Sequence, residues 1–391
     1  FLDPRQRSVA IGVWISAFSA GGAIGPLLGG VLLEYFSWGS VFLLALPVMA
    51  LLLVLGPKLL PEFRDPDAGR LDIRSAAMSL AAVLAVIYGL KEIAQDGVGL
   101  LPSLSILAGL AIGVLFVRRQ LTLADPMIDV RLFRIPSFSA ALATNVLAIF
   151  VAVGYFLFVA QYLQLVLGLS PLQAGLWSVP SSIGFIVGSN LAPRVMHHFR
   201  PASVVGSSLA LAVLGLVMLL LVGQSSGLAV LVTASVLISL ALSPVFMLTT
   251  ELIVGSAPPE RAGAASGISE TGAELGGALG ISILGSIGTA VYRGAVADGL
   301  PAGIPPEAAD IARDTLGGAV GVAAQLPDQL GRALLDVTRD AFVQGLHLAA
   351  AISAAVAIVA AVVAVIVLRR VPATPQLEGQ PDLEPDRAIA A

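Results

Sequence analysis

Glu270 and Glu274 lie inside an apolar run over residues 262–290. Four residues apart on a helix, two side chains share one face. Counting about 1.5 Å per residue from the start of the run, Glu270 sits roughly 12 Å in and Glu274 roughly 18 Å in, near the middle of a bilayer. A charged acid at that depth costs about 2.5–3.5 kcal/mol. No lysine or arginine lies deep in any apolar run to offset it. Such carboxyls therefore face a wet cavity or carry a proton. Either condition suits a group that exchanges a proton for an organic cation. Glu251 and Arg261 flank a turn before the run and read as an ion pair or a gate latch. Asn145, Tyr155, Gln161, Gln164, Trp177 and Ser181 are polar or aromatic residues in other apolar runs. Aromatic faces among them could hold a cation.

Composition sets what surrounds these residues. The chain of 391 residues is 57% hydrophobic and 12% charged, with a mean hydropathy of +0.94. A soluble domain carries about 25% charged residues. Lipid must therefore be the solvent of this chain. It has no cysteine, which removes disulfides, thiolate metal sites and cysteine nucleophiles. His197, His198 and His347 are its only histidines, too few for a histidine-rich metal site, and no metal is expected. No cofactor is expected beyond a proton gradient. The net charge is −4, and no basic patch with interleaved aromatics marks a nucleic-acid partner. There is no phosphate-binding loop and no zinc-protease helix, so an enzyme is not expected.

A membrane-spanning helix needs about 20 apolar residues, and about ten runs qualify. They cover residues 8–32, 39–56, 72–90, 100–117, 137–160, 171–193, 201–222, 227–253, 262–290 and 341–368. Strands are excluded because the runs are long and do not alternate. With the N-terminus inside, only Lys91, Arg293, Arg313, Arg332 and Arg339 of the 21 lysines and arginines fall outside. That bias orients the chain in the plasma (inner) membrane with its C-terminus in the cytoplasm. Residues 292–340 form a long outside segment, within which Ala309–Ala323 and Leu330–Asp340 read as short surface helices. Asp72 precedes a span and reads as its N-cap. Residues 371–391 are rich in Pro and acidic residues and read as a disordered tail. The chain opens at Phe1 rather than Met and reads as starting inside a longer protein.

The first run carries Gly12, Gly21, Gly25, Pro26, Gly29 and Gly30, with no charge between Arg7 and Glu34. Each glycine costs about 1 kcal/mol relative to alanine inside a helix, so helix stability does not explain them. Gly21, Gly25 and Gly29 share a face on which another backbone could come close. Pro26 removes a backbone donor and bends the segment. Gly272, Gly276 and Gly280 repeat the four-residue spacing beside the two acids.

This glycine pattern resembles the antiporter motif of the fifth helix in drug:proton exporters of the major facilitator superfamily. The likeness extends through Phe36-Ser37-Trp38, Leu71-Asp72-Ile73, Gly168 to Gly175 with Pro180, and Pro258 to Gly263 running into Ser269 to Gly280. Together these stretches resemble the fourteen-helix drug:proton antiporter family. The resemblance implies an all-α polytopic membrane protein of the major facilitator fold, with about ten of fourteen helices present. On it, residues 1–60 end the N-terminal half, 61–120 are two extra central helices and 121–370 are the six-helix C-terminal half. It implies proton-coupled export of lipophilic cationic drugs by alternating access, as a monomer, with a small-molecule substrate and membrane lipid as partners. It puts Glu270 and Glu274 at the coupling site, and Asn145, Tyr155, Gln161, Trp177 and Ser181 beside the central cavity. An exporter of an endogenous metabolite or antibiotic remains open, as does a structural membrane protein or an inactive fragment.

Overall fold

The computed structural model describes residues 21–22, 24–59, 72–123, 126–224, 227–257 and 262–369, and among them there are helices and no strands. Ile24–Tyr35 is α1 and Ser40–Leu59 is α2. Ile73–Asp96 (α3) and Leu100–Thr122 (α4) form a hairpin. Then come Pro136–Gln161 (α5), Pro171–His198 (α6), Pro201–Met218 (α7) and Leu228–Gly255 (α8). Ala262–Leu279 (α9) runs through a wide turn of π-helix, Gly280–Leu284, into Gly285–Gly299 (α10). Pro306–Asp314 (α11) and Leu316–Ala323 (α12) precede Asp328–Leu368 (α13).

Among the described residues eight helical spans are long and apolar enough to cross a membrane, α9 and α10 together making one of them. The short described part of α1 and the serine-rich α6 complete the set expected from sequence. Proline at the first helical turn opens α5, α6 and α7, where its missing N–H has no partner to lose. Ahead of α6, Gly168 takes φ +67°, and Ser170 and Gln173 form a reciprocal capping box.

The core lies among α5, α7, α8 and α13, centred on fully buried side chains such as Leu209, Leu216, Leu231 and Ile238. A smaller apolar cluster of Leu132, Phe138, Ile253, Ala265 and Ile268 ties the ends of α5, α8 and α9 together. The α3–α4 pair leans on this bundle through α3, which touches α10 and the wide turn.

Residues 292–340 differ from the expected loop. Helix α10 continues to Gly299, and α13 starts at Asp328, so Leu330–Asp340 is the first part of a long helix rather than a separate one. Leu334 and Thr338 are fully buried there, which gives those turns a packing face. Ala309–Ala323 breaks at Thr315, whose hydroxyl caps α12. Residues 371–391 lie outside the described residues.

Asp72 caps α3, accepting from the Ser75 N–H at 3.2 Å and the Ser75 hydroxyl at 2.6 Å. Arg119 of α4 reaches the same carboxylate at 2.9 Å. Gln120 donates to Ser75 at 2.7 Å and accepts from the Ile128 N–H at 3.2 Å. Chiefly through the Ser75 hydroxyl, with the Ser75 N–H and Arg119 assisting against burial, the Asp72 carboxyl is held at about 2. Its folded-state value is depressed, so its stabilisation is present above the ordinary carboxylate range and is lost as pH falls toward 2. Asp72→Asn is expected to lower the thermal midpoint at pH 7, with the difference from wild type narrowing only below about pH 4. Melting curves across pH test this, and a difference already gone at pH 5 would contradict it.

Candidate functional site

The two acids are positioned by what lies on the opposite side of their helix. A Cβ built on Gly276 would sit 2.5 Å from the Val146 carbonyl of α5, and one on Gly280 would strike the Phe150 carbonyl. One on Gly272 would meet Leu142 Cδ1 at 3.0 Å and Val146 Cγ2 at 3.1 Å. Small residues thus let α9 lie directly on the backbone of α5. Farther along, a Cβ on Gly288 of α10 would meet the Phe158 ring at 2.6 Å. Glu270, Thr271 and Glu274 are then turned to the exposed side of α9. Among the described residues neither glutamate has a hydrogen-bond or ion-pair partner, whereas Thr271 bonds back to Gly267 O at 2.8 Å.

Between α5, α6, α8 and the start of α1 is a cavity of about 230 Å³. Tyr155, Ser181, Ser182, Phe185, Ser239 and Gly22 line it. The Tyr155 hydroxyl is 3.4 Å from the Ser239 hydroxyl. Pro26 has no N–H to offer the Gly22 carbonyl four residues earlier, so that acceptor lacks its helical donor beside this cavity. Of the residues expected from sequence, the cavity unites Tyr155 and Ser181. Ser182, Phe185 and Ser239 were not anticipated; Ser182 and Phe185 sit beside or one turn from Ser181 on α6, and nothing local in α8 marks Ser239.

The other expected residues go elsewhere. Asn145 is 3% exposed and donates to Thr249 Oγ1 at 2.8 Å, which makes it a pin between α5 and α8 rather than a cavity wall. Gln161 lines a different cavity, near the ends of α3 and α10. Trp177 is 44% exposed on α6. Glu251 is exposed on α8, while Arg261 lies outside the described residues. Gly12 also lies outside them.

The glycines of α1 make a contact one residue along from the expected one. Nothing approaches a Cβ on Gly21, Gly25 or Gly29 within 4 Å among the described residues. Instead, the Pro26 carbonyl lies 2.6 Å from a Cβ on Gly175 of α6, and a Cβ on Gly30 would meet the Pro171 carbonyl at 2.8 Å. Pro26 and Gly30 are also four apart, so the contact keeps the helical spacing. It joins the last turns of α1 to the first turns of α6, at the arginine-poor end of the bundle.

Long apolar helices, close-packed on glycine around a largely apolar cavity edged by a few hydroxyls, have the build of a polytopic membrane transporter. Residues 1–281 match the model of the Major Facilitator Superfamily, and the chain belongs to that family. It is 39% identical over 354 residues to the multidrug efflux pump LfrA of Mycolicibacterium smegmatis, covering 90% of this chain and 70% of that one. It is 33% identical over 357 residues to the methyl viologen resistance protein SmvA of Salmonella typhimurium, covering 90% of this chain and 71% of that one. Among solved structures, a bacterial homologue of the human lysosomal transporter Spinster, inward-facing and occupied, superposes with a TM-score of 0.54 at 18% identity. That match covers 94% of this chain and 70% of that one, and it supports the fold.

Gly276→Val places carbon against a backbone carbonyl that cannot give way, whereas Gly272→Ala meets only the ends of flexible side chains. Gly276→Val is expected to lower the thermal midpoint or abolish folding in detergent, and Gly272→Ala to leave it near wild type. Equal midpoints for the two variants would refute the close approach of α9 to α5.

Proposed function

We propose that this chain exports lipophilic organic cations in exchange for protons. The observation that carries this reading is the pair Glu270 and Glu274, without a partner among the described residues on the exposed face of a membrane-spanning helix. A carboxylate there attracts a cation; protonated, it releases one. Relatives named as a multidrug efflux pump and a methyl viologen resistance protein support export, and methyl viologen is a flat organic dication.

The cycle follows alternating access about a site near the membrane midplane. With the C-terminus in the cytoplasm, the α1–α6 contact closes the outer end. From the inside a cation enters and displaces protons from the acids. After the bundle reopens outward, protonation of Glu270 or Glu274 expels the cation. Inward return of the proton is driven by about 2.3 kcal/mol per 100 mV of membrane potential. The 230 Å³ cavity of Tyr155, Ser181 and Ser239, which neither acid lines, serves as a separate contact on the path of the substrate. The protein acts as a monomer in the plasma (inner) membrane, without a metal or organic cofactor.

Efflux of a fluorescent cationic dye from cells expressing the protein tests this. Glu270→Gln and Glu274→Gln, examined separately, are each expected to slow efflux, and a protonophore is expected to stop it in wild type. Normal rates in both variants would remove the acids from the mechanism. Efflux indifferent to the protonophore would remove proton coupling.

A further inference from the structure

A second cavity, of about 370 Å³, lies where α3 meets α10 and the short helices α11 and α12. Its volume is within the usual range for a small-molecule site. Ser282, Ser286 and Thr289 line it from one stripe of the wide turn and α10. Hydroxyls in apolar helices usually bond back to their own helix, as Ser178, Thr233 and Thr338 do here. These three do not, and among the described residues they have no hydrogen-bond partner. Ser286 is 5% exposed and lines this cavity.

Lys91 of α3 lines the same cavity and has no ion-pair partner among the described residues. The acid in the lining, Asp314, is already paired with Arg293 at 3.2 Å. The free charge at the mouth is therefore positive. Below it are Phe158 and Phe342, with ring centres 5.9 Å apart, and Ile281, which is 48% exposed.

We propose that this cavity binds an anionic phospholipid. An ammonium and three unsatisfied hydroxyl donors match a phosphate's acceptor oxygens. The apolar floor and half-exposed Ile281 match an acyl chain entering from the bilayer, which a free phosphate would leave empty. Lys91 lies in the last turns of α3, the depth at which lysine side chains reach lipid headgroups. A lipid held here bridges α3 to α10 and so fastens the α3–α4 pair to the C-terminal bundle. Which leaflet supplies it follows from the orientation proposed above; the chemistry of the site does not depend on it.

Native mass spectrometry of the purified chain, with phosphatidylglycerol and phosphatidylcholine offered at equal concentration, tests the site. Phosphatidylglycerol is expected to be retained preferentially. Lys91→Gln should reduce its retention about fivefold. Thr289→Trp, which fills the cavity with Lys91 intact, should reduce it as well. Arg369→Gln, at the far end of α13, should leave it unchanged. Unchanged retention in Lys91→Gln and Thr289→Trp would overturn the proposal. Equal loss in Arg369→Gln would reduce the effect to surface charge and overturn it too. Full displacement by inorganic phosphate would show an anion site without a lipid chain and would also defeat it.

Discussion

The bare backbone contact between α5 and α9 is the constraint on which the site depends. Lipid supplies no hydrophobic drive for helix association, so membrane helices adhere through packing. At Gly276 and Gly280 the approach is so close that a single methyl group would strike a carbonyl. That contact fixes the rotation of α9 about its axis. With glycines seated on Val146 and Phe150, Glu270 and Glu274 must look the other way. The cost of glycine in a helix interior is thus offset by an orientation that a larger side chain could not hold.

A second glycine contact does the same at the arginine-poor end. Pro26 and Gly30 of α1 touch Gly175 and Pro171 of α6, and Gly22, one turn before Pro26, borders the Tyr155–Ser239 cavity. The proline that helps form the contact also leaves the Gly22 carbonyl without its usual donor. The helix contact and the acceptor left free beside the cavity are therefore consequences of the same residue.

Much of this was legible in the sequence because lipid leaves few alternatives. Length and hydropathy place the spans, and each charge inside a span stands out. Asp72 as an N-cap and the acid pair on one face follow from local spacing alone, as does the shared face of Gly272, Gly276 and Gly280. Local spacing does not reveal partners. Gly21, Gly25 and Gly29 mark one face and Pro26 and Gly30 another, and only the position of α6 selects the one through Pro26 and Gly30. Asn145 and Tyr155 look alike as polar groups in α5. The partner on α8 decides between them: Thr249 seals the first, and Ser239 leaves the second beside a cavity. The prolines at 301, 305, 306 and 327 mark a break, yet its extent depends on buried Leu334 and Thr338, which extend α13 by packing.

The central claim is that the face of α9 opposite its glycines borders water and substrate. The chain has no cysteine, so one introduced thiol reports without background. Thr271→Cys sits between the two acids on that face. Its reaction with a charged, water-soluble maleimide should proceed in membrane vesicles and slow when a lipophilic cation is present at saturation. A thiol that reacts only with a lipid-soluble maleimide, at a rate the cation does not change, would show that the face meets lipid and would contradict the account.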